Sequence, residues 1–309
     1  MPLFRHPVPY RRRLAFTTWL TTCVLGLCLL SAALAAQAAN DRGLIYRAQR
    51  GTSEIVLLGS IHLGNAAMYP LRPAILAAYQ QADALVVELD VNQVSPERMA
   101  AWMSEHGQYP AGDSLRNHVT AKTWDRLTAH LQKVGLQPEL FQQYVPGILI
   151  NMLTMTQLMQ SGLSTTLGLD QHFLAAAYTD KKPIIELETA EEQLAILASM
   201  PNADALINDT LDELQNLPAA SDTLFNAWKL GESRTLENEV NKSFDRDDAA
   251  TREFFDKIFT RRNIAMTERI DAISNTHSQL FVVVGAGHLL GAEGIVALLE
   301  QRGFTTEQL

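Results

Sequence analysis

Short runs of apolar residues recur along the chain, and several of them end at a glycine or at an acidic residue. Continuous apolar runs rich in valine and isoleucine are typical of strands that are buried on both faces of a sheet. The runs therefore predict a buried central sheet. Its strands are expected at 44–47, 54–58, 84–89, 183–188 and 279–284.

Between these runs, apolar residues recur at intervals of three and four, which predicts helices. Thr189 and Glu192 fit a capping box at the start of the helix after the fourth strand. Alternating strands and helices indicate an α/β fold with a mixed central sheet flanked by helices, and the helical stretches 92–165 and 190–275 are expected to form caps over it. The helices are expected at 71–81, 96–105, 121–134, 146–159, 170–178, 190–200, 204–216, 247–273 and 293–301.

The first 39 residues differ from the rest of the chain. Four arginines, at 5 and 11–13, precede an apolar run over 14–34, and small residues over 32–39 offer A-x-A cleavage sites. This is the pattern of a secretory signal peptide. A retained membrane anchor is the alternative, since about 20 apolar residues span a bilayer. We expect a signal peptide at 1–39 and a periplasmic or secreted protein that contacts the membrane only through its export signal.

The remaining chain, 40–309, is expected to form a single domain that is acidic and free of cysteine. Cys23 and Cys28 both lie in the export segment, which excludes disulfides and thiolate chemistry from the domain. The whole chain has 25 Lys and Arg residues against 34 Asp and Glu residues, a net charge of −9. Cleavage would remove four arginines and no acidic residue, and would make the domain more negative. Because a negative field repels phosphate backbones, no nucleic acid partner is expected.

A Gly-x-x-His motif occurs twice, each time after an apolar strand. The first copy runs from Gly59 to His62 and the second from Gly285 to His288. Glycine permits backbone conformations that other residues resist, and ligands of α/β proteins bind beyond the carboxyl ends of the strands. A single histidine at such a position is more often structural. Two copies in the same context predict a functional pair.

Acidic residues complete the candidate chemistry. Glu88 interrupts an apolar run, where an isolated carboxylate is costly to bury without a partner. Glu186 and Glu188 share one face of their strand, and a solvated strand end is the alternative for each. Imidazole and carboxylate without thiolate suit a divalent ion such as Zn²⁺, Mn²⁺ or Co²⁺. The chain has neither an H-E-x-x-H motif nor a calcium loop, so the metal is inferred from residue types alone.

Taken together, these motifs resemble the TraB/GumN family over nearly all of 40–309. That family includes the Tiki proteins, which are metal-dependent proteases, and it is similar to erythromycin esterase and to the haem-binding ChaN proteins. The resemblance is carried by the two Gly-x-x-His motifs, Glu88, the Gly168-Leu169-Asp170 turn, the Leu187-Glu188-Thr189 segment and the Arg262-Asn263 pair.

The resemblance implies that His62, Glu88 and His288 form a metal-binding or acid/base centre. It also marks Asp170, Glu188, Arg262 and Asn263 without fixing their roles. Because Glu88 and Glu188 each end an apolar strand near the same edge, one of the two is expected to be the catalytic carboxylate that takes a proton from water. Asp170 is otherwise expected to cap the helix that it precedes. Arg262 lies beside Arg261 in a long amphipathic helix, where solvated surface is the alternative.

Two classes of function remain open. The first is a metal-dependent hydrolase, peptidase-like or esterase-like, in which a divalent ion polarises the carbonyl of a peptide or small-molecule substrate. The second is a non-catalytic protein on the same fold that sequesters a peptide or a haem-like ligand. The sequence does not name the substrate, because a fold is a weak guide to a reaction.

Overall fold

A computed structural model of the chain describes residues 43–309 except 215, 243, 245 and 246. These residues belong to one compact unit. Among them, no helix combines the length and the apolar character needed to cross a membrane. The predicted signal peptide at 1–39 lies outside the described residues.

A six-stranded mixed sheet forms the centre of the domain, in the order β4-β3-β5-β2-β1-β6. Strands β2, β5, β3 and β4 run parallel, while β1 is antiparallel to both β2 and β6. The strands are β1 Ile45–Arg50, β2 Ser53–Ser60, β3 Ala84–Val87, β4 Ile184–Glu186, β5 Gln279–Gly285 and β6 Thr305–Gln308. The mixed sheet with its helices confirms the predicted α/β class.

Helices cover the sheet and form the long segments between β3 and β5. They are α1 Pro73–Gln81, α2 Pro96–Trp102, α3 Ala121–Lys133, α4 Pro138–Phe141, α5 Pro146–Gln160, α6 Leu169–Asp180, α7 Ala190–Ala198, α8 Ala203–Glu213, α9 Leu217–Leu230, α10 Ser233–Lys242, α11 Ala249–Phe255, α12 Arg261–Ser274 and α13 Ile295–Gln301. The capping box predicted for Thr189 and Glu192 is present at the start of α7, which confirms it.

The buried apolar residues form two clusters. The larger one lies on both faces of the sheet. Every residue of β3 is buried there, and so is every residue of β5 except the first and the last. The smaller one joins α3, α5 and α8 around residues such as Leu127, Leu149 and Ile207. The helical segment between β3 and β5 therefore has a hydrophobic core of its own, as a cap does.

Several predicted boundaries are wrong. The strand expected at 84–89 ends at Val87, and the strand expected at 183–188 covers only Ile184–Glu186. Beyond these ends the carboxylates of Glu88 and Glu188 pair with Arg262, and a few backbone hydrogen bonds still join the two segments. The helix expected at 247–273 is divided by a π-helical turn at Asp256–Thr260. Strand β6 was not predicted.

Candidate active site

The carboxyl ends of four parallel strands meet at one edge of the sheet. The register pairs Ser60 with Gly285, and Val87 with both Val283 and Glu186. Both Gly-x-x-His motifs and the segments that begin with Glu88 and Leu187 therefore leave the sheet side by side. This is the edge at which α/β proteins bind their ligands.

Gly285 is the point on which the predicted residues converge. A Cβ atom at this glycine would lie 3.2 Å from Glu88 Oε1, 3.5 Å from His288 Cδ2 and 3.7 Å from His62 Nε2. The structure thus brings together two histidines that are far apart in sequence, with a carboxylate between them. A side chain at position 285 would fill the space that these three groups surround.

His62 is held from behind by Asp170. Its Nδ1 lies 2.9 Å from Asp170 Oδ2, and Asp170 Oδ1 accepts a hydrogen bond of 2.7 Å from the Ser60 hydroxyl. A carboxylate only accepts, so Nδ1 carries the proton and Nε2 faces the site. The attraction of Asp170 outweighs partial desolvation and raises the pKa of His62 to about 9. The His62 side chain is 57% exposed, which makes it the open wall of the site.

His288 is held in the same way by Asn263, but it is buried. The Asn263 amide nitrogen donates to the Glu293 carbonyl at 2.8 Å, which orients Asn263 Oδ1 toward His288 Nδ1 at 2.6 Å. Nδ1 is therefore the protonated nitrogen, and Nε2 presents a lone pair to the site. Burial, which disfavours the charged imidazole, lowers the pKa of His288 to about 4.

Glu88 is a buried carboxylate with partners on both oxygens. Oε1 accepts from the Gly285 amide at 2.6 Å, and Oε2 accepts from Arg262 at 2.9 Å and from Gln193 at 3.1 Å. Burial opposes its ionisation, but the attraction of His288, His62 and Arg262 is stronger and lowers its pKa to about 2. Glu88 is thus ionised at neutral pH.

Glu188 is clamped by Arg262 and Gln193. Arg262 donates from Nε to Glu188 Oε2 at 2.8 Å and from Nη2 to Glu188 Oε1, while Gln193 donates to Oε1 at 2.8 Å. A two-pronged arginine–carboxylate pair of this kind fixes the geometry of both side chains. One guanidinium therefore neutralises part of the charge of Glu88 and Glu188 together.

These positions decide between the alternatives raised by the sequence. Arg262 is not solvated surface, because its side chain is only 16% exposed, and Glu188 is buried rather than solvated. Glu186 is exposed, as the alternative for it expected. Asp170 is not a helix cap: Gly168 occupies the N-cap of α6, and the Asp170 carboxylate binds Ser60 and His62 instead.

Gly59, the first residue of the first Gly-x-x-His motif, lies close to the second motif. Its carbonyl accepts a hydrogen bond of 2.6 Å from the indole of Trp228, and a Cβ atom there would lie 3.1 Å from the backbone of Ala286. The glycine lets the two motif segments approach each other closely. Gln193 is a site residue that the sequence interpretation missed, because only the fold brings it to Glu88 and Glu188.

The groups around Gly285 are two imidazoles and a carboxylate, which are ligand types of the predicted divalent ion. Within the part of the chain that the structure describes, no group of three or more His, Cys, Asp or Glu residues has the spacing to hold an ion. However, His288 Nε2 and Glu88 Oε1, both electron-pair donors, face each other at 3.7 Å. Imidazole nitrogen and carboxylate oxygen are both ligands of divalent ions such as Zn²⁺, so His288 and Glu88 would be the residues to hold one.

The hydrogen bonds behind the two imidazoles support the same conclusion. Histidine ligands of metals ordinarily donate their second N–H to a carboxylate or a carbonyl. Asp170 and Asn263 provide such acceptors for His62 and His288. The residues present therefore fit a divalent ion in their chemistry, with Glu88 and His288 already opposed and His62 beside them.

A cavity of about 400 Å³ lies next to this centre. It is lined by Asn263 and Gly287 and by the rings of Phe255 and Phe259, and Phe259 packs against the His288 imidazole with 5.4 Å between ring centroids. The cavity shares Asn263 with the site, so the site has substantial open volume beside it.

The sequence profile of the TraB/PrgY/gumN family matches residues 44–308. The chain belongs to this family. The protein YbaP of Escherichia coli K12, which has no characterised function, is 28% identical over 250 residues, covering 81% of this chain and 89% of that protein. The metalloprotease TIKI1 of Danio rerio is 23% identical over 302 residues, covering 81% of this chain and 60% of TIKI1. No solved structure matches the chain.

The metalloprotease TIKI2 of Xenopus tropicalis is also 23% identical, over 303 residues that cover 81% of this chain and 57% of TIKI2. The chain thus spans somewhat more than half the length of the TIKI proteins that it matches. Membership of the family confirms the resemblance found in the sequence motifs.

Proposed function

We propose that this chain is an exported, periplasmic or secreted metal-dependent hydrolase that acts on a peptide or on a small-molecule ester. One observation carries the proposal: two imidazole Nε2 atoms and the Glu88 carboxylate face a common space at Gly285, and each imidazole is anchored at Nδ1. The similarity to proteins named metalloproteases supports it.

The residues that would hold the ion are His62, Glu88 and His288. A divalent ion supplies Lewis-acid polarisation of a carbonyl and lowers the pKa of water. Asp170 and Asn263 bind the Nδ1 atoms of the two histidines, so that both Nε2 atoms are directed into the site. Because the pKa of His62 is raised to about 9, His62 would have to lose its Nε2 proton in order to hold the ion. The proposed ion is Mn²⁺, Co²⁺ or Zn²⁺.

The two carboxylates have different parts in this site. Both oxygens of Glu188 accept hydrogen bonds from Arg262, and Gln193 donates to one of them as well. Glu88 Oε1 faces His288 and the space at Gly285. Glu88 is therefore the carboxylate that would help His62 and His288 to hold the ion, and Glu188 acts by holding Arg262 and Gln193 in place.

The test is a hydrolysis assay on peptide and ester libraries with added Mn²⁺, Co²⁺ or Zn²⁺. It compares the wild type with Glu88→Gln, Glu188→Gln and His288→Ala. Removing a residue that would hold the ion lowers the rate, because the substrate carbonyl is then no longer polarised. We expect Glu88→Gln and His288→Ala to abolish most activity. Activity that ignores all three substitutions contradicts the proposal, and saturable binding without turnover favours the sequestering alternative.

A further inference from the structure

The cavity of about 400 Å³ beside His288 has an aromatic wall. Phe255 and Phe259 both line it, with 5.0 Å between their ring centroids, and Phe259 also packs against the His288 imidazole. A Cβ atom at Gly287 would lie 2.7 Å from Phe259 Cε1, so a larger residue there would push the ring away. The glycine inside the second Gly-x-x-His motif therefore makes room for this wall.

The same cavity is lined by a carboxylate that has no partner. Glu237, on α10, is half-buried, and its Oε1 lies 2.8 Å from the position of a Cβ atom at Gly291, which also lines the cavity. No described residue donates a hydrogen bond to the Glu237 carboxylate or forms an ion pair with it. The described lining residues include no lysine or arginine. The negative charge of Glu237 is thus uncompensated beside apolar rings.

This lining suits a side chain that carries a positive charge at the end of an apolar stem. The faces of phenylalanine rings attract cations, and they pack against methylene groups. The Glu237 carboxylate would pair with the charge. An acidic side chain would be repelled by Glu237, and a wholly apolar one would take water away from a carboxylate without replacing its hydrogen bonds. Lysine and arginine have the required combination of stem and charge.

We infer that this cavity binds the side chain of a lysine or arginine residue of a peptide substrate. The inference rests on the proposed function, because it names the substrate class of the same site. Asn263 lines the cavity and bonds His288 Nδ1, whereas His288 Nε2 faces Glu88, so the cavity and the centre flank one imidazole. An extended peptide advances about 3.3 to 3.6 Å per residue, so a residue one or two positions from the scissile bond reaches the cavity.

The test moves a single lysine, or a norleucine in its place, along one peptide sequence. Norleucine keeps the apolar stem and lacks the ammonium group. We expect kcat/KM of the wild type to be about 10-fold higher for lysine than for norleucine at one position of the peptide, as a hydrogen bond between charged groups provides. Glu237→Gln keeps the shape of the side chain and removes its charge, so this preference should disappear.

Glu239→Gln is the matched control, because it removes one negative charge from the same helix. Glu239 pairs with Lys242 at 2.6 Å and is not among the described residues that line the cavity. The whole chain has a net charge of −9 and attracts any basic peptide, wherever its lysine lies. We expect Glu239→Gln to keep the preference. An equal preference at every peptide position, or equal losses in Glu237→Gln and Glu239→Gln, overturns the inference.

Binding to metal-stripped protein separates this inference from the proposed function. Isothermal titration calorimetry with the same peptides needs no turnover. We expect the wild type to bind the lysine peptide more tightly than the norleucine peptide, and Glu237→Lys to prefer a peptide with glutamate at that position. If this preference is found but no metal supports hydrolysis, the proposed function fails and the cavity assignment stands. Equal affinity of the wild type for lysine and norleucine peptides overturns the cavity assignment, even where metal-dependent hydrolysis is observed.

Discussion

At the scale of single residues, Asn263 decides which nitrogen of His288 faces the site. It is almost fully buried, and its amide joins the His288 Nδ1 proton to the Glu293 carbonyl. Replacing it with leucine leaves the buried Nδ1–H of His288 without its acceptor, which costs about 1 to 3 kcal/mol for such a group. We expect Asn263→Leu to lower the free energy of unfolding in urea by that amount.

The same substitution is expected to weaken the binding of Mn²⁺, Co²⁺ or Zn²⁺ by about 10- to 100-fold, as loss of a partner behind a histidine ligand does. Isothermal titration calorimetry measures this affinity. Asn275→Leu, at an exposed position beyond the end of α12, is the control and should change neither quantity. Unchanged metal affinity in Asn263→Leu would show that His288 does not bind the ion.

Arg262 and Arg261 are neighbours in sequence, but their loss is expected to lower the free energy of unfolding by very different amounts. Arg262 neutralises two buried carboxylates, whereas Arg261 is 59% exposed and pairs with the surface residue Glu253. Removing one partner of a buried ion pair costs about 3 to 5 kcal/mol. An exposed pair contributes about 0 to 1 kcal/mol. We expect urea unfolding to show this difference between Arg262→Met and Arg261→Met, and equal losses would contradict the buried cluster.

At the scale of elements, the His62 loop lies directly against the turn that carries Asp170. Gly64 and Ser164 exchange backbone hydrogen bonds of 3.0 and 2.8 Å. A Cβ atom at Gly168 would lie 2.2 Å from the carbonyl oxygen of His62, so the backbone would have to move. The glycine of the Gly168-Leu169-Asp170 turn is therefore required by close packing of two segments.

Gly168→Ala is expected to separate Asp170 from His62. Asp170 is what raises the pKa of His62, so the variant should lower that pKa from about 9 toward the ordinary value of histidine. An NMR titration of His62 in metal-stripped protein measures the change. Gly112→Ala is the control: its φ of +90° strains an alanine, but no atom lies within 4 Å, so the pKa of His62 should stay where it is. A raised pKa that persists in Gly168→Ala would be the contrary result.

The elements differ in how much of them the sequence predicts. The strands β2, β3 and β5 are predictable because burial on both faces demands continuous apolar runs. Strand β6 has the sequence Thr-Thr-Glu-Gln and carries no apolar signal. It is held by backbone pairing with β1 and by an ion pair between Arg47 and Glu307, neither of which leaves a periodic pattern.

The candidate site divides in the same way. The two histidines and Glu88 are marked in the sequence because each follows an apolar strand. The functions of Asp170, Arg262 and Asn263 depend on which side chain each one meets, and only the fold determines that. Gln193 is polar on an amphipathic helix and resembles a solvated residue until α7 is placed over the strand ends.

At the scale of the whole molecule, the chain is expected to be exported and to lose its first residues. The basic start, the apolar run and the A-x-A sites predict cleavage between residues 35 and 39. N-terminal sequencing of periplasmic or secreted protein measures this directly. We expect mature protein that begins close to residue 40, and intact Met1 in the membrane fraction would show a retained anchor instead.

The central claim is that this chain hydrolyses its substrate with a divalent ion that His62, Glu88 and His288 hold. The most direct test is a metal titration of stripped protein, followed by the rate of peptide-library hydrolysis. The rate should rise with Mn²⁺, Co²⁺ or Zn²⁺ and saturate at one ion per chain, and His288→Ala should show no such rise. Hydrolysis by metal-free protein, or an equal rise in His288→Ala, would contradict the account.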